Sequence, residues 1–314
     1  GPFKVTEWVP NDHYTLVRND NYWGEMPIAT SITCRVIPEG SARTIALEAG
    51  EIDVVWSVDP TDCANVESNP DVKLLSQPST GIDYVGMNTQ KEKFSDKRVR
   101  QAINYAINKE AYVAVVKNGN SEPGTSVIAP KLQYYKGNDP YPYDIEKAKS
   151  LLAEAGYPDG FKTTLMCAST TTNLKQCEFI QQQLAQVGID VEINALESAV
   201  VNQKIQDVDV PGSEAEVDMY VIGWSPSTGD ADWGIRPLMA IESEPPMSYN
   251  ICYYENEEVD QLLKDALATA DDSKRAEAYA KAQDIIWEES PLVCLANDAN
   301  TWATSANMVD AKLF

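Results

Sequence analysis

Two carboxylates, Asp230 and Asp232, share one segment with Trp224 and Trp233, and Arg236 follows just beyond. Paired carboxylates can hydrolyse glycosides when apolar surroundings and a fixed separation make one an acid and the other a base or nucleophile. The same pair can receive a ligand amine, or simply tie a loop together. Trp224 and Trp233 read as pocket walls, since aromatic rings offer much contact area with little side-chain entropy to lose. They also read as core, although the small and polar residues between them make uniform burial awkward. Arg236 offers a planar fork to a carboxylate, or closes an internal salt bridge with Asp230 or Asp232.

Other catalytic arrangements have little to build on. His13 is the one histidine, so any Ser–His–Asp or Cys–His relay must pass through it. It falls in a surface turn beside an early strand, where a solvated histidine is the simpler reading. No GxSxG, HExxH, GxxxxGK[ST] or GxGxxG pattern occurs. The six cysteines form no CxxC pair and none neighbours His13, so no metal site or cofactor is expected. Cys167 and Cys177 lie close enough for a local disulfide; scattered cysteines otherwise serve as small buried hydrophobes.

The elements that must position these residues alternate between strand and helix. Residues 3–8 and 13–18 alternate as strands around the turn former Asn11-Asp12, and 30–37 reads as a third. Ser41 is placed to cap a short helix over 42–47 that stops at Gly50. Strands are expected at 52–56, 72–76 and 82–87. Val99, Ala102, Ile103, Ala106 and Ile107 recur at helical spacing within a helix over 94–116. Helix 145–155, strand 161–167, helix 172–187 and strand 189–194 describe a second α/β unit, extended by helix 197–205 and strand 217–222. Residues 223–235 read as a long polar and aromatic loop. Two amphipathic helices, 258–270 and 273–288, precede a short strand at 291–295.

Composition narrows the function further. The chain has 314 residues and is 43% apolar, enough to bury two cores, and a formal net charge of -23 repels polyanions. Nucleic acid is therefore not an expected partner, although acidic surfaces are common whatever the ligand. No run of 18 apolar residues is available to span a bilayer. Gly1-Pro2-Phe3-Lys4-Val5 leads straight into a strand pattern, so the chain is expected to begin partway through a longer protein, or to follow removal of a leader.

Along its whole length the sequence resembles the extracytoplasmic solute-binding proteins of peptide-type ABC importers, the family with dipeptide-, oligopeptide-, glutathione- and nickel-binding members. The matching residues, in family order, begin with Gly1-Pro2-Phe3-Lys4-Val5, Trp8 and Asn21-Tyr22-Trp23-Gly24. Leu47-Glu48-Ala49-Gly50-Glu51-Ile52-Asp53, Tyr84 to Asn88, Phe94-Ser95-Asp96 and Arg98 to Ile103 follow. Lys147-Ala148, Leu151 to Tyr157, Gly223-Trp224, Val259-Asp260 with Leu262-Leu263, and Arg275 with Tyr279 complete the series. The segment 223–233, with Arg236-Pro237-Leu238 and Pro245-Pro246, looks most like the glutathione-binding branch.

The resemblance implies an α/β, two-lobed fold of the periplasmic-binding-protein type, with mixed sheets, crossing hinge strands and a ligand enclosed between the lobes. Residues 1–86 with 291–314 would belong to a discontinuous first lobe and 87–290 to the second, the chain being a C-terminal portion of the full fold. It implies a non-enzymatic carrier, monomeric, that hands a small peptide, glutathione-like by preference, to a membrane permease. Dipeptides, oligopeptides or a nickel chelate are the alternatives, and a carboxylate-dependent hydrolase stands further off. Its place would be the periplasm or the cell surface, with a lipid anchor as one option for the full-length protein. The contacts implied are main-chain groups along Tyr84, Met87 and Asn88, aromatic packing by Trp224 and Trp233, Asp230 or Asp232 on an amine, and Arg236 on a carboxylate. Ser227 stands where dipeptide- and oligopeptide-binding members carry an amine-binding aspartate, and Thr228 follows it.

Overall fold

Alternation along the first residues produces a hairpin whose turn holds Asn11 at φ 63°, a conformation asparagine tolerates. Strand β1 (Phe3–Val9) pairs antiparallel with β2 (His13–Arg18), and β2 pairs with β3 (Ser31–Arg35). The computed structural model describes residues 1–312. His13 opens β2 at the surface, hydrogen-bonded to Asp12 at 2.6 Å and to Glu7 at 3.3 Å. These carboxylates, Asp12 foremost, raise its pKa. No nucleophile stands among these partners.

Helix α1 (Gly40–Glu48) starts before Ser41, so Ser41 does not cap it; its hydroxyl faces Asp62 at 3.4 Å instead. Strand β4 (Val54–Trp56), helix α2 (Cys63–Ser68) and the long strand β5 (Val72–Met87) follow. The helical signal expected over 94–116 is three helices: α3 (Glu92–Ser95), α4 (Lys97–Ala106) and α5 (Lys109–Val116). The breaks have local causes. Asp96 accepts from the Arg98 N–H at 2.8 Å, and Asn108 accepts from the Ala111 N–H at 2.9 Å, each starting a new helix.

Beyond the two-residue strand β6 (Glu122–Pro123) come α6 (Ile145–Glu154), β7 (Lys162–Ala168), α7 (Thr171–Ala185), β8 (Asp190–Leu196), α8 (Ser198–Ile205) and β9 (Met219–Trp224). Helix α9 (Ala231–Met239), a 3-10 turn at Ile241–Ser243, α10 (Glu257–Leu267), α11 (Asp272–Glu289) and β10 (Leu292–Ser305) complete the order. Side chains cap many of these helices: Asp144 caps α6, Thr170 α7, Asp230 α9, Asn256 α10 and Asp271 α11.

The principal sheet runs β4-β10-β5-β9-β7-β8, with β6 on β10. It is mixed: β7 is parallel to β8 and β9, while β5 is antiparallel to β9. The parallel pair β7–β8 is joined by α7, the crossover that parallel strands require. The described chain divides into two compact units, Gly1–Ser76 with the chain from Thr301 on, and Gln77–Asn300. Both divisions fall inside long strands, β5 and β10, about ten residues from the boundaries expected at 86/87 and 290/291.

In the first unit Leu47, Val55, Val58, Cys63, Val66, Val72 and Ala303 form a small core. In the second, strand alternation sends side chains to two cores. Ile82, Tyr84, Met166 and Tyr220 join Ile235, Leu263, Tyr279 and Ile286. Val85, Met87, Leu165 and Val221 join Phe94, Ile103, Tyr112, Ile180 and Leu184.

One buried polar network lies within the second unit. Asp83 is 6% exposed, and its carboxylate accepts from Tyr112 Oη at 3.1 Å and Gln176 Nε2 at 2.9 Å and pairs with Lys117. Lys117 also reaches Asp298 at 2.9 Å. Burial and the Asp298 charge push the Asp83 pKa up, while Lys117 pulls it back.

Candidate functional site

Strand β9 ends at Trp224, paired with Ile82 of β5, and the chain then turns through 225–230 into α9. The region expected as one long loop is therefore half helix. Asp230 makes the difference: its carboxylate accepts from the Asp232 N–H at 2.9 Å and starts α9 at Ala231. Gly234 and Pro237 concealed this helix in the sequence, because both weaken helix propensity. Gly234 is required there, since an added Cβ would lie 2.7 Å from Ile128 Cγ2 and 2.9 Å from Leu132 Cδ1.

The helix start fixes a compact arrangement of aromatic and charged groups. Trp224 Nε1–H donates to the Trp233 carbonyl at 3.0 Å, and Trp233 Nε1–H donates to Ser227 Oγ at 2.7 Å. The Trp224 ring lies 4.8 Å from that of Tyr249. Trp233 remains 43% exposed, so it forms a wall and not a core. Asp232 pairs with Arg236 one turn along α9, with Nε–H to Oδ2 at 3.1 Å, and accepts from Tyr279 Oη at 3.1 Å. The internal salt bridge left open for Arg236 is thus the one observed.

Asp230 receives Arg275 from α11, whose Nη2 stands 2.8 and 3.1 Å from the two carboxylate oxygens. The Arg275 guanidinium lies over the rings of Tyr134, 5.1 Å from its centroid, and Tyr279, at 5.6 Å. Its buried Nε has no hydrogen-bond partner. Burial raises the Tyr279 pKa, keeping its hydroxyl a donor to Asp232.

Thr228, Asp230, Asp232, Trp233, Leu267 and Arg275 line a depression of about 400 Å3. It offers carboxylate oxygens, a threonine hydroxyl, one guanidinium and an indole face. Such a surface suits a small zwitterionic molecule with both polar and apolar parts. As an acid–base site it is poorly arranged, because each carboxylate already faces an arginine.

The structure brings together Trp224, Ser227, Thr228, Asp230, Asp232, Trp233 and Arg236. It does not add Tyr84, Met87 and Asn88 to them. Tyr84 is 1% exposed and Met87 and Asn88 are 0% exposed. Tyr84 packs edge-on to Tyr220. The Met87 and Asn88 N–H groups donate to the Pro291 and Asp218 carbonyls, and the Asn88 amide donates to Gly212 and Val217. Tyr84 and Met87 lie in a central strand with both edges paired and both faces covered, and Asn88, which follows it, is fully buried, so these three offer a solute no surface. Sequence reasoning missed Arg275 as a site residue. Its signal was the spacing of Arg275 and Tyr279, four apart on one face of an amphipathic helix.

A family model described as bacterial extracellular solute-binding proteins, family 5 Middle, matches residues 1–245. The chain belongs to this family. A relative from Escherichia coli O1:K1, the glutathione-binding protein GsiB, is 38% identical over 311 residues, which cover 98% of this chain and 60% of that protein. Among solved structures, the periplasmic binding protein DppA from Helicobacter pylori, in complex with the peptide STSA, superposes with a TM-score of 0.86 at 32% identity. That match covers 98% of this chain and 59% of the other. A dipeptide-binding protein from Pseudoalteromonas sp. SM9913, in complex with Met-Leu, gives 0.83 at 26% identity over 100% and 61% of the two chains. The α/β architecture with mixed sheets matches that of these peptide-binding proteins, and the chain spans about 60% of the length of the relatives. Family 5 is a family of solute-binding proteins, not of enzymes. Among the described residues no helix is long and apolar enough to cross a membrane.

Proposed function

We propose that this chain is part of a carrier that captures a small peptide, glutathione-like by preference, outside the cytoplasm and delivers it to the permease of an ABC importer, without chemical change. The 224–236 segment carries the reading. It combines indole faces, two carboxylates and a nearby guanidinium on one accessible surface, and its relatives include a glutathione-binding protein. In this reading Trp224 and Trp233 flank the solute, and Ser227 and Thr228 supply hydroxyls. Asp230 or Asp232 attracts its amine, and Arg236, with Arg275 behind Asp230, balances the charge for its carboxylates. The unit 77–300 would belong to the second lobe, and 1–76 with the chain from 301 on to the first. A second reading, a dipeptide or short peptide as solute, is favoured by the relatives solved with the peptide STSA and with Met-Leu.

Titration calorimetry of the full-length protein with reduced glutathione and with a dipeptide tests both readings. Trp224→Ala is expected to weaken the bound solute by about 30-fold, as truncating a central aromatic anchor costs about 2 kcal/mol. Unchanged affinity in a folded variant would remove Trp224 from the site. Absence of binding by either solute, or recovery of an altered solute, would overturn the proposal itself.

A further inference from the structure

The turn that carries Ser227 and Thr228 has little packing of its own. Ser227, Thr228 and Gly229 are exposed, and a Cβ added to Gly229 would meet nothing within 4 Å. Ser227 accepts from Trp233, which rides on α9, so its place depends on where that helix starts. The anchors of the turn come from distant parts of the chain. The Gln133 N–H donates to the Gly229 carbonyl at 2.8 Å, and Arg275 of α11 holds the Asp230 carboxylate.

The arginine is itself held. Arg275, Tyr279 and Gln283 recur every four residues along α11 and lie on one face. All three engage Tyr134. This residue stands at φ 63°, a conformation that a bulky side chain keeps only where its surroundings impose it. Gln283 donates to the Tyr134 carbonyl at 2.8 Å, and the Tyr134 hydroxyl donates to Asp272 at 2.7 Å. The Tyr134 ring stacks on Tyr279 at 5.5 Å, and the Arg275 guanidinium lies over it with Nη1 at 3.4 Å from its Oη. Nη2 is left to meet Asp230. Asp230 Oδ1 accepts from both Arg275 and the Asp232 N–H, so the orientation that starts α9 is the one the arginine holds.

We propose that Arg275, backed by Tyr134, is a positioning residue of the solute site: through Asp230 it sets the 225–230 turn and the start of α9. The hydroxyls of Ser227 and Thr228 and the indole of Trp233 then meet the solute already in place, which lowers the ordering cost of binding. The proposal rests on the solute-carrier reading of this same site. Lysine is no equal replacement, because an ammonium pairs with Asp230 but cannot lie flat on the Tyr134 ring.

The test combines hydrogen exchange of the solute-free, full-length protein with titration calorimetry against reduced glutathione. Arg275→Met should speed exchange over 225–234 about tenfold and weaken glutathione about tenfold, with exchange in α4 and α7 unchanged. The Asp230 side chain is 29% exposed, so this variant strands no buried charge. Arg275→Lys should recover part of both losses. Tyr134→Asn, which keeps a residue tolerant of the left-handed backbone but removes the ring, should loosen the same segment. If Arg275→Met does not fold, Arg275→Lys and Tyr134→Asn decide by the same comparison. Unchanged exchange over 225–234 would overturn the proposal. So would loosening spread evenly over the chain, which marks a merely structural role, or full glutathione affinity despite a loosened turn. Failure of the unsubstituted protein to bind glutathione would count against the solute reading, while exchange over 225–234 would still decide whether Arg275 holds the turn.

Discussion

Lys117→Met is expected to lower unfolding stability by about 3–5 kcal/mol, the usual consequence of removing one partner of a buried ion pair. Asp83 would keep its hydrogen bonds from Tyr112 and Gln176 but lose its cation, while only 6% exposed. A carboxylate so placed avoids ionisation. Its folded pKa would then stand further above the unfolded one, so the native state would bind the extra proton. The variant's deficit should therefore shrink as pH falls from 7 towards 5. Adding Asp83→Asn should restore much of the loss, since no unpaired charge then remains in the interior. Denaturant midpoints at the two pH values measure all three effects. A deficit below about 1 kcal/mol, the range of surface pairs, would show that water reaches Asp83.

The second large effect is a pH dependence centred on Lys109 in α5. The residue is 6% exposed, and its ammonium is buried with no hydrogen-bond partner. It lies 4.9 Å from the ring centroid of Trp287 and 5.8 Å from that of Tyr141. Burial pushes its pKa from 10.5 to about 8. Between these values the unfolded chain holds a proton that the folded one has released, so stability should rise with pH over that window. The depression corresponds to about 3 kcal/mol. Lys109→Met should accordingly be about 3 kcal/mol more stable than the unsubstituted protein at pH 7. The two should converge towards pH 10.5. A stability difference that stays constant from pH 7 to 10 would mean that Lys109 is not the titrating group.

The fold was legible where local chemistry dictates it. The Asn11-Asp12 hairpin and the succession α6, β7, α7, β8 follow from alternation, apolar periodicity and turn residues. It was illegible where a single cap outweighs propensity. Asn108 divides one continuous apolar stripe into two helices, and Asp230 starts a helix in a segment rich in helix-weakening residues. The site was half legible for a related reason. Trp224, Asp230, Asp232, Trp233 and Arg236 are close in sequence, so their grouping could be read directly. Arg275 reaches Asp230 only through the packing of α11, which no local pattern encodes. Tyr84, Met87 and Asn88 have residue types fit for recognition, but the first two lie in a strand central to its sheet and Asn88, just after it, is spent on main-chain carbonyls, both properties of topology.

The helix caps also change what the formal charge of -23 means. Asp96, Asp144, Asp230 and Asp271 each set a carboxylate on the backbone N–H groups at a helix start, where the helix dipole presents positive potential. These anions are tethered to local positive ends and contribute less to mutual repulsion than a residue tally suggests. Replacing these four aspartates in an effort to bring the surface towards neutrality would therefore fray α4, α6, α9 and α11.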